Sequence, residues 1–130
     1  MIDLTEFLIV GIGGFLGSCA RFSLTKLSAC LKWNFPLGTL LSNVIAGILI
    51  GLIIGLEPHV LWITPKKKLF LTTGLLGGLS TFSTFSLETI NLFSDGKYLM
   101  ALGNILLNLA LSLFGVILGM CFAKMVLKKV

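Results

Sequence analysis

Charge is scarce in this 130-residue chain. Only 12% of its residues are Asp, Glu, Lys or Arg, about half of the roughly 25% found in an ordinary soluble domain. A soluble core is therefore not expected. The one histidine, His59, sits in an interrun loop, and the five acids are scattered. Three cysteines, Cys19, Cys30 and Cys121, share no C-x-x-C spacing and lie in or beside apolar runs. They read as small apolar side chains, which excludes a disulfide framework or a zinc site. No Gly-rich loop followed by Lys is present to cradle a phosphate, and no Ser is paired with a His, so no catalytic set is visible and nothing points to an enzyme. Low-complexity stretches and a convincing internal repeat are also missing. The opening MIDLTEFLIV has acids where a signal peptide needs bases, and no clear cleavage site follows. The first apolar run is expected to be retained.

What the chain does have is apolar length. Hydrophobic residues make up 56% of it, and they fall into four runs that predict an all-α integral membrane protein. The spans are placed at about 4–27, 34–56, 68–93 and 98–123, as one transmembrane domain over residues 1–130. The second is the clearest. No charge appears over the 24 residues from Trp33 to Leu56, and a span needs about 20. The fourth is charge-free for 26 residues, Tyr98 to Ala123. Trp33 and Trp62 suit the membrane–water interface. The net charge of +5 comes from Arg21, Lys26, Lys32, Lys66, Lys67, Lys68, Lys97, Lys124, Lys128 and Lys129. Nearly all fall between or beyond the apolar runs, where they set topology and meet lipid headgroups. Nucleic acid is not an expected partner.

Inside the runs, small and polar residues recur at helical spacing. Gly13 and Gly17 in the first span and Gly115 and Gly119 in the fourth form small-xxx-small faces for close helix packing. Thr39 and Asn43 are four apart and share a face. Asn104, Asn108 and Ser112 repeat every four residues along the fourth span. Asn43 has two readings, interhelical hydrogen bonding, which spacing alone favours, or a donor aimed into a pore. Arg21, about one turn inside the end of the first span, either snorkels to headgroups or places positive charge at the mouth of a cavity.

One stretch stands apart. Thr73–Ser86 reads TGLLGGLSTFSTFS, with Gly74, Gly77 and Gly78 close together and followed by Ser80, Thr81, Ser83, Thr84 and Ser86 around Phe82 and Phe85. Helix-interior glycines cost about 0.5–1 kcal/mol each relative to Ala, and backbone groups freed in hydrocarbon must find partners within the protein. The third span is therefore expected to break near its middle, as spans do where they line a site. Beyond the break, Thr81, Thr84, Phe85 and Glu88 form one stripe. A carboxylate such as Glu88 within a span is a functional candidate. A Gly-rich packing face is the plainer alternative.

The donors held in the spans are neutral: Asn43, Ser83, Thr84, Asn104, Asn108 and Ser112. Anion pathways use donors and positive potential, whereas cation pathways use acidic rings or carbonyls. The electropositive ring edges of Phe82 and Phe85 and the helix N-terminus exposed at a break suit a small anion. The carbonyls freed by the break suit a hard cation such as Na⁺. Four short spans cannot easily surround a pore alone, so an oligomer is expected. The Lys and Arg count is six on one side of the membrane against four on the other. That bias is too small to specify orientation, and it permits insertion both ways with antiparallel self-pairing.

The segment GLLGGLSTFSTFS, together with PLGTLLSN in the second span and GGFLGSCARF in the first, resembles the fluoride-specific channel family (Fluc, also called CrcB) over essentially the whole chain. The T-F-S-T-F core after G-G is highly specific to that family. The resemblance implies a dual-topology antiparallel homodimer in a bacterial cytoplasmic (inner) membrane, with two pores that export fluoride passively. It implies that Phe82 and Phe85 contact the ion through their ring edges and that Asn43 orients them and donates to it. Thr39, Ser83, Thr84, Glu88 and Ser112 would form a polar track along the pore. Arg21 would favour anions at a vestibule, and the carbonyls of Gly77 and Ser80 would hold a structural Na⁺ at the dimer centre. The family often has Thr at the position of Ser80, which is harmless if only the carbonyl coordinates. Asn104 and Asn108 have no role assigned by the resemblance. The alternative is a small four-span proton-coupled exporter of organic cations. It needs a titratable carboxylate deep in the first span, whereas Asp3 and Glu6 stand at its very start. A third reading, a packing subunit that transports nothing, leaves Phe82, Phe85 and Asn43 without a role in flux.

Overall fold

The computed structural model describes residues 3–31 and 33–128. Lys32 and Lys129, two of the cations counted above, lie outside the described residues. The described chain is all helical. Helix α1 (Leu4–Ala29) starts at Asp3, whose carboxylate accepts the Thr5 N–H at 2.9 Å. That bond holds the Asp3 carboxyl below its ordinary pKa. Helix α2 (Leu37–Leu56) begins only after Pro36, later than the expected 34, because a proline ring disfavours helix in the residue before it. It runs into a 3₁₀ turn, Glu57–His59. Thr64 then caps the next start by accepting the Lys67 N–H, with Pro65 in the first turn.

The expected third span is not one helix. Helix α3 (Pro65–Leu69), a π-helical stretch Phe70–Leu76 and the short α4 (Gly77–Leu79) wind on continuously. Ser80 and Thr81 are extended, and α5 (Phe82–Ser94) starts afresh. Gly96, at φ 74°, ends α5 in the left-handed conformation that glycine adopts without penalty. Lys97 N–H reaches back to the Leu92 carbonyl at 2.9 Å. Helix α6 (Tyr98–Leu127) outruns the expected end at 123 by one basic turn that includes Lys124. Three helices, Leu4–Ala29, Leu37–His59 and Tyr98–Leu127, are long and apolar enough to cross a membrane.

Burial is inverted relative to a soluble protein. The largest side chains with almost no exposure are Asn104, Thr39 and Ser42, while Phe7, Phe15, Leu99 and Leu113 face outward. In lipid there is no hydrophobic drive between helices, so close backbone contact and polar pairing do the holding. Glycines supply the contact. Gly51 and Gly55 on α2 meet Gly119 and Ala123 on α6, Gly47 lies against Ser112 and Gly115 against Val44 and Ile48, so that a Cβ added at Gly51 would fall on the Val116 carbonyl and one at Gly119 on that of Ile48. Gly13 and Gly17 of α1 seat against Gly74 and Gly78 in the same way. The small-xxx-small faces of α1 and α6 are thus packing faces, and the α2 triplet is the unforeseen counterpart of the one on α6.

Gly119→Ala is expected to destabilise the fold by about 1–3 kcal/mol, because the new methyl has only backbone to meet. Gly103→Ala on the same helix, where the nearest atom is a Phe35 ring carbon at 3.9 Å, is expected to be neutral. Thermal unfolding of the two variants in detergent, followed by circular dichroism, tells them apart.

Candidate functional site

The break is held open by one side chain. Asn43, on α2, accepts the Thr81 N–H on Oδ1 at 2.8 Å and donates from Nδ2 to the Thr81 carbonyl at 3.3 Å. In an unbroken helix the Thr81 N–H would go to the carbonyl of Gly77. Asn43 takes it instead, and the last turn closes with Ser80 N–H on the Leu76 carbonyl at 3.0 Å. The Gly77 carbonyl is thereby released from that bond. On the far side of the break, the Thr81 hydroxyl accepts the Thr84 N–H and so caps α5. Just before it, the π-helical stretch sends Gly77 N–H to the Thr72 carbonyl, and such stretches recur at functional sites.

Beside the break lies an open groove of about 410 Å³. Asn43, Gly77, Ser80, Thr81, Phe82, Phe85, Asn108 and Ser112 line it, with an apolar wall from Leu76, Ala46 and Ile50. None of its lining residues is charged. The rings of Phe82 and Phe85 lie 5.5 Å apart and tilted by 56°, which turns an edge of one towards the face of the other. Phe85 is buried, whereas Phe82 is 75% exposed. The Ser112 hydroxyl is buried without a hydrogen-bond partner.

The remaining sequence-predicted residues stand elsewhere. Thr39 donates to Glu88 Oε1 at 2.7 Å, while Glu88 Oε2 is buried without a partner. Glu88 lines a second cleft of about 290 Å³, which also holds Asp95 and Lys97. Ser83 is exposed, and Thr84 Oγ1 accepts from the Thr81 hydroxyl at 3.1 Å. Neither lines the groove. Arg21 is half-buried on α1 and makes no ion pair among the described residues. Glu6 is exposed in the first turn of α1.

The role of Asn104 and Asn108 emerges only in three dimensions. Asn43 Nδ2 donates to Asn108 Oδ1 at 2.9 Å, and Asn108 donates to Asn104 Oδ1 at 2.8 Å. Asn104 in turn donates to the Thr89 hydroxyl at 2.9 Å. The four-residue spacing marked the two asparagines as a polar stripe. Nothing in the sequence pointed to Thr89 as their partner.

For a metal, the described residues contain no group of three or more His, Cys, Asp or Glu. What the break offers is carbonyl oxygen at Gly77 and Ser80, a donor set that fits a hard cation. Gly77 is exposed, with only the Thr72 carbonyl near the place a Cβ would occupy.

Residues 8–120 match the family model described as CrcB-like protein, Camphor Resistance (CrcB). A chain from Clostridium novyi (strain NT) named fluoride-specific ion channel FluC is 48% identical over 127 residues, 97% of this chain and 99% of that one. One of the same name from Clostridium perfringens (strain 13 / Type A) is 44% identical over 125 residues, 95% of this chain and 98% of the relative. Another, from Pyrococcus furiosus, is 45% identical over 123 residues, 95% and 99% of the two chains. With a family model covering most of its length and relatives far above 30% identity across nearly all of theirs, the chain belongs to the CrcB family.

Proposed function

We propose that this protein is a fluoride-selective channel that lets cytoplasmic fluoride leave the cell passively. The observation that carries the reading is Asn43's hold on Thr81, which gathers Phe82, Phe85 and the Ser112 hydroxyl around one groove free of ionised side chains. Relatives that bear the name of fluoride-specific channel over nearly the full length support the same reading. The working form is a dual-topology antiparallel homodimer with two pores, in a bacterial cytoplasmic membrane. Each chain crosses four times, the third crossing being the pair of helical pieces on either side of Ser80–Thr81. The near balance of cations on the two sides supports insertion both ways.

The chemistry suits the ion. Fluoride is small and strongly hydrated, and a bare anion in an apolar medium is very costly. Several neutral donors acting together offset that cost without a full positive charge that would trap the ion. The Ser112 hydroxyl has its proton to give. The longer of Asn43's donations, 3.3 Å to the Thr81 carbonyl, is the weaker one and the first to yield to an anion. The edges of Phe82 and Phe85 and the partial positive charge at the α5 N-terminus complete the set. Thr39 and Glu88, with Ser83 and Thr84, extend a polar track away from the groove, and Arg21 draws anions to a vestibule. The Gly77 and Ser80 carbonyls of both protomers would hold Na⁺. When bound, the cation supplies fixed positive charge that offsets the anion's desolvation and ties the protomers together.

Purified protein in liposomes is expected to release fluoride, read with a fluoride electrode, and to release no chloride. The double variant Phe82→Ile/Phe85→Ile loses that release; a well-incorporated wild-type dimer that releases none would remove the channel reading. Ser112→Ala is expected to slow fluoride flux by about tenfold, while its melting temperature stays at the wild-type value because no intramolecular hydrogen bond is lost. Replacing Na⁺ by N-methylglucamine throughout is expected to lower the dimer's melting temperature, since a ligand bound only by the folded form stabilises it. A melting temperature indifferent to the cation would count against the site at Gly77 and Ser80.

A further inference from the structure

The hydrogen bonds that leave Asn43 do not end in the groove. They form one directed circuit. The Thr81 N–H donates to Asn43, Asn43 to Asn108, Asn108 to Asn104, Asn104 to the Thr89 hydroxyl, and Thr89 to the Phe85 carbonyl at 2.8 Å. Each of the five links is 2.8 or 2.9 Å long. The circuit leaves the chain at the break, crosses α2 and α6, and returns to Phe85, the fourth residue of α5. Asn104 is 0% exposed, Asn108 4% and Thr89 5%, so water does not compete for these bonds.

The direction of the circuit is imposed at its ends. A backbone N–H can only donate and a backbone carbonyl can only accept. Three carboxamides and one hydroxyl between them satisfy both ends in a single arrangement. Turning any one amide over sets N–H₂ against a donor and oxygen against oxygen, which in a dry interior leaves several groups unsatisfied together. Asn104 donates onward to Thr89 and accepts from Asn108, and Asn108 does the same between Asn104 and Asn43. The carboxamide of Asn43, which faces the groove, is therefore held from two sides, directly by Thr81 and through Asn108 and Asn104 by Thr89, which does not line the groove.

We propose that Asn104 and Thr89 are positioning residues of the pore: through this circuit they keep the Asn43 amide turned with oxygen on the Thr81 N–H and nitrogen towards the groove, and they hold the Phe85 backbone in register with it. The proposal rests on the channel reading for its flux consequence and on hydrogen-bond geometry alone for its structural one. Removing the Thr89 hydroxyl leaves Asn104 Nδ2 without its acceptor and loosens the row at that end, so that Asn43 is held by Thr81 alone.

The test uses the full-length dimer in liposomes for flux. Side-chain ¹⁵N NMR of Asn43 in detergent, assigned by difference from Asn43→Ser, follows the amide. Thr89→Val, which keeps the shape and deletes the hydroxyl, is expected to slow fluoride release by about tenfold or more, as loss of a buried partner does, and to move the Asn43 side-chain resonance. Thr89→Ser restores both to within about twofold of wild type, since it keeps the donor and acceptor. A merely local packing role for Thr89 would not move a resonance on another helix. Should Thr89→Val fail to assemble, Asn104→Leu replaces it: the side chain of similar size neither accepts from Asn108 nor donates to Thr89, and the same loss and shift are expected. Flux unchanged in the variant, or an Asn43 resonance that stays in place, overturns the proposal. A wild type that carries no fluoride defeats the channel reading instead, and leaves the NMR comparison to decide the circuit.

Discussion

The structure turns on the pair of hydrogen bonds between the Asn43 carboxamide and the backbone of Thr81. A helix cannot stop inside hydrocarbon unless something replaces the bonds it gives up. A carboxamide presents an acceptor and a donor side by side, as a peptide group does, so a single Asn on a neighbouring helix meets both needs of one residue. With that substitution the winding ends at Leu79, α5 starts at Phe82, and the carbonyl of Gly77 is released. The groove, the aromatic pair and the oxygen set proposed for Na⁺ all lie within a few residues of this point. Removing the Asn43 amide would leave the Thr81 N–H without its acceptor, so structure and proposed conduction share one anchor.

That anchor works only because the helices come close. Asn43 sits on α2, whose Gly47, Gly51 and Gly55 lie against Ser112, Val116 and Ala123 of α6. Backbones in such contact bring Asn43 and Asn108 to 2.9 Å. A bulkier interface would pull the two amides beyond hydrogen-bond range. The glycines thus act on the site indirectly, by setting the distance across which short polar side chains reach. Packing in a membrane rewards that arrangement, since it gains contact without any hydrophobic drive between the helices. The result is an interior in which Thr39, Ser42 and Asn104 are the largest side chains with almost no exposure, while many large apolar ones face outward.

The groove and the second cleft divide the residues that the family resemblance had placed on one track. Asn43, Phe82, Phe85 and Ser112 are gathered at the break. Thr39 and Glu88 are joined to one another at 2.7 Å, and Glu88 belongs to a different cavity. Spacing explains the division. Glu88 is three residues beyond Phe85, nearly one further turn along α5, and Thr39 is one turn before Asn43 on α2. Both pairs face each other across α2 and α5, but at two levels, so a single stripe in the sequence meets two clefts in space.

Composition and spacing by themselves determined the class of this protein. Too little charge for a soluble domain and apolar runs long enough to span left a helical membrane protein, and the concentration of Gly, Ser and Thr in Thr73–Ser86 marked where one helix would stop. Those are local properties: the cost of glycine in a helix and of charge in lipid is carried by the residues themselves. The G-G-L-S-T-F-S-T-F segment likewise sufficed to suggest the family. Only the tertiary structure decided which partners complete the site. That Asn43 takes the Thr81 N–H, that Gly47, Gly51 and Gly55 form the counterpart of Gly115 and Gly119, and that Thr89 closes a row of asparagines are facts about residues 15 to 68 positions apart. An asparagine at helical spacing reads the same whether it glues two helices or faces a groove. The difference lies in what stands opposite, and that is set by how closely the helices pack.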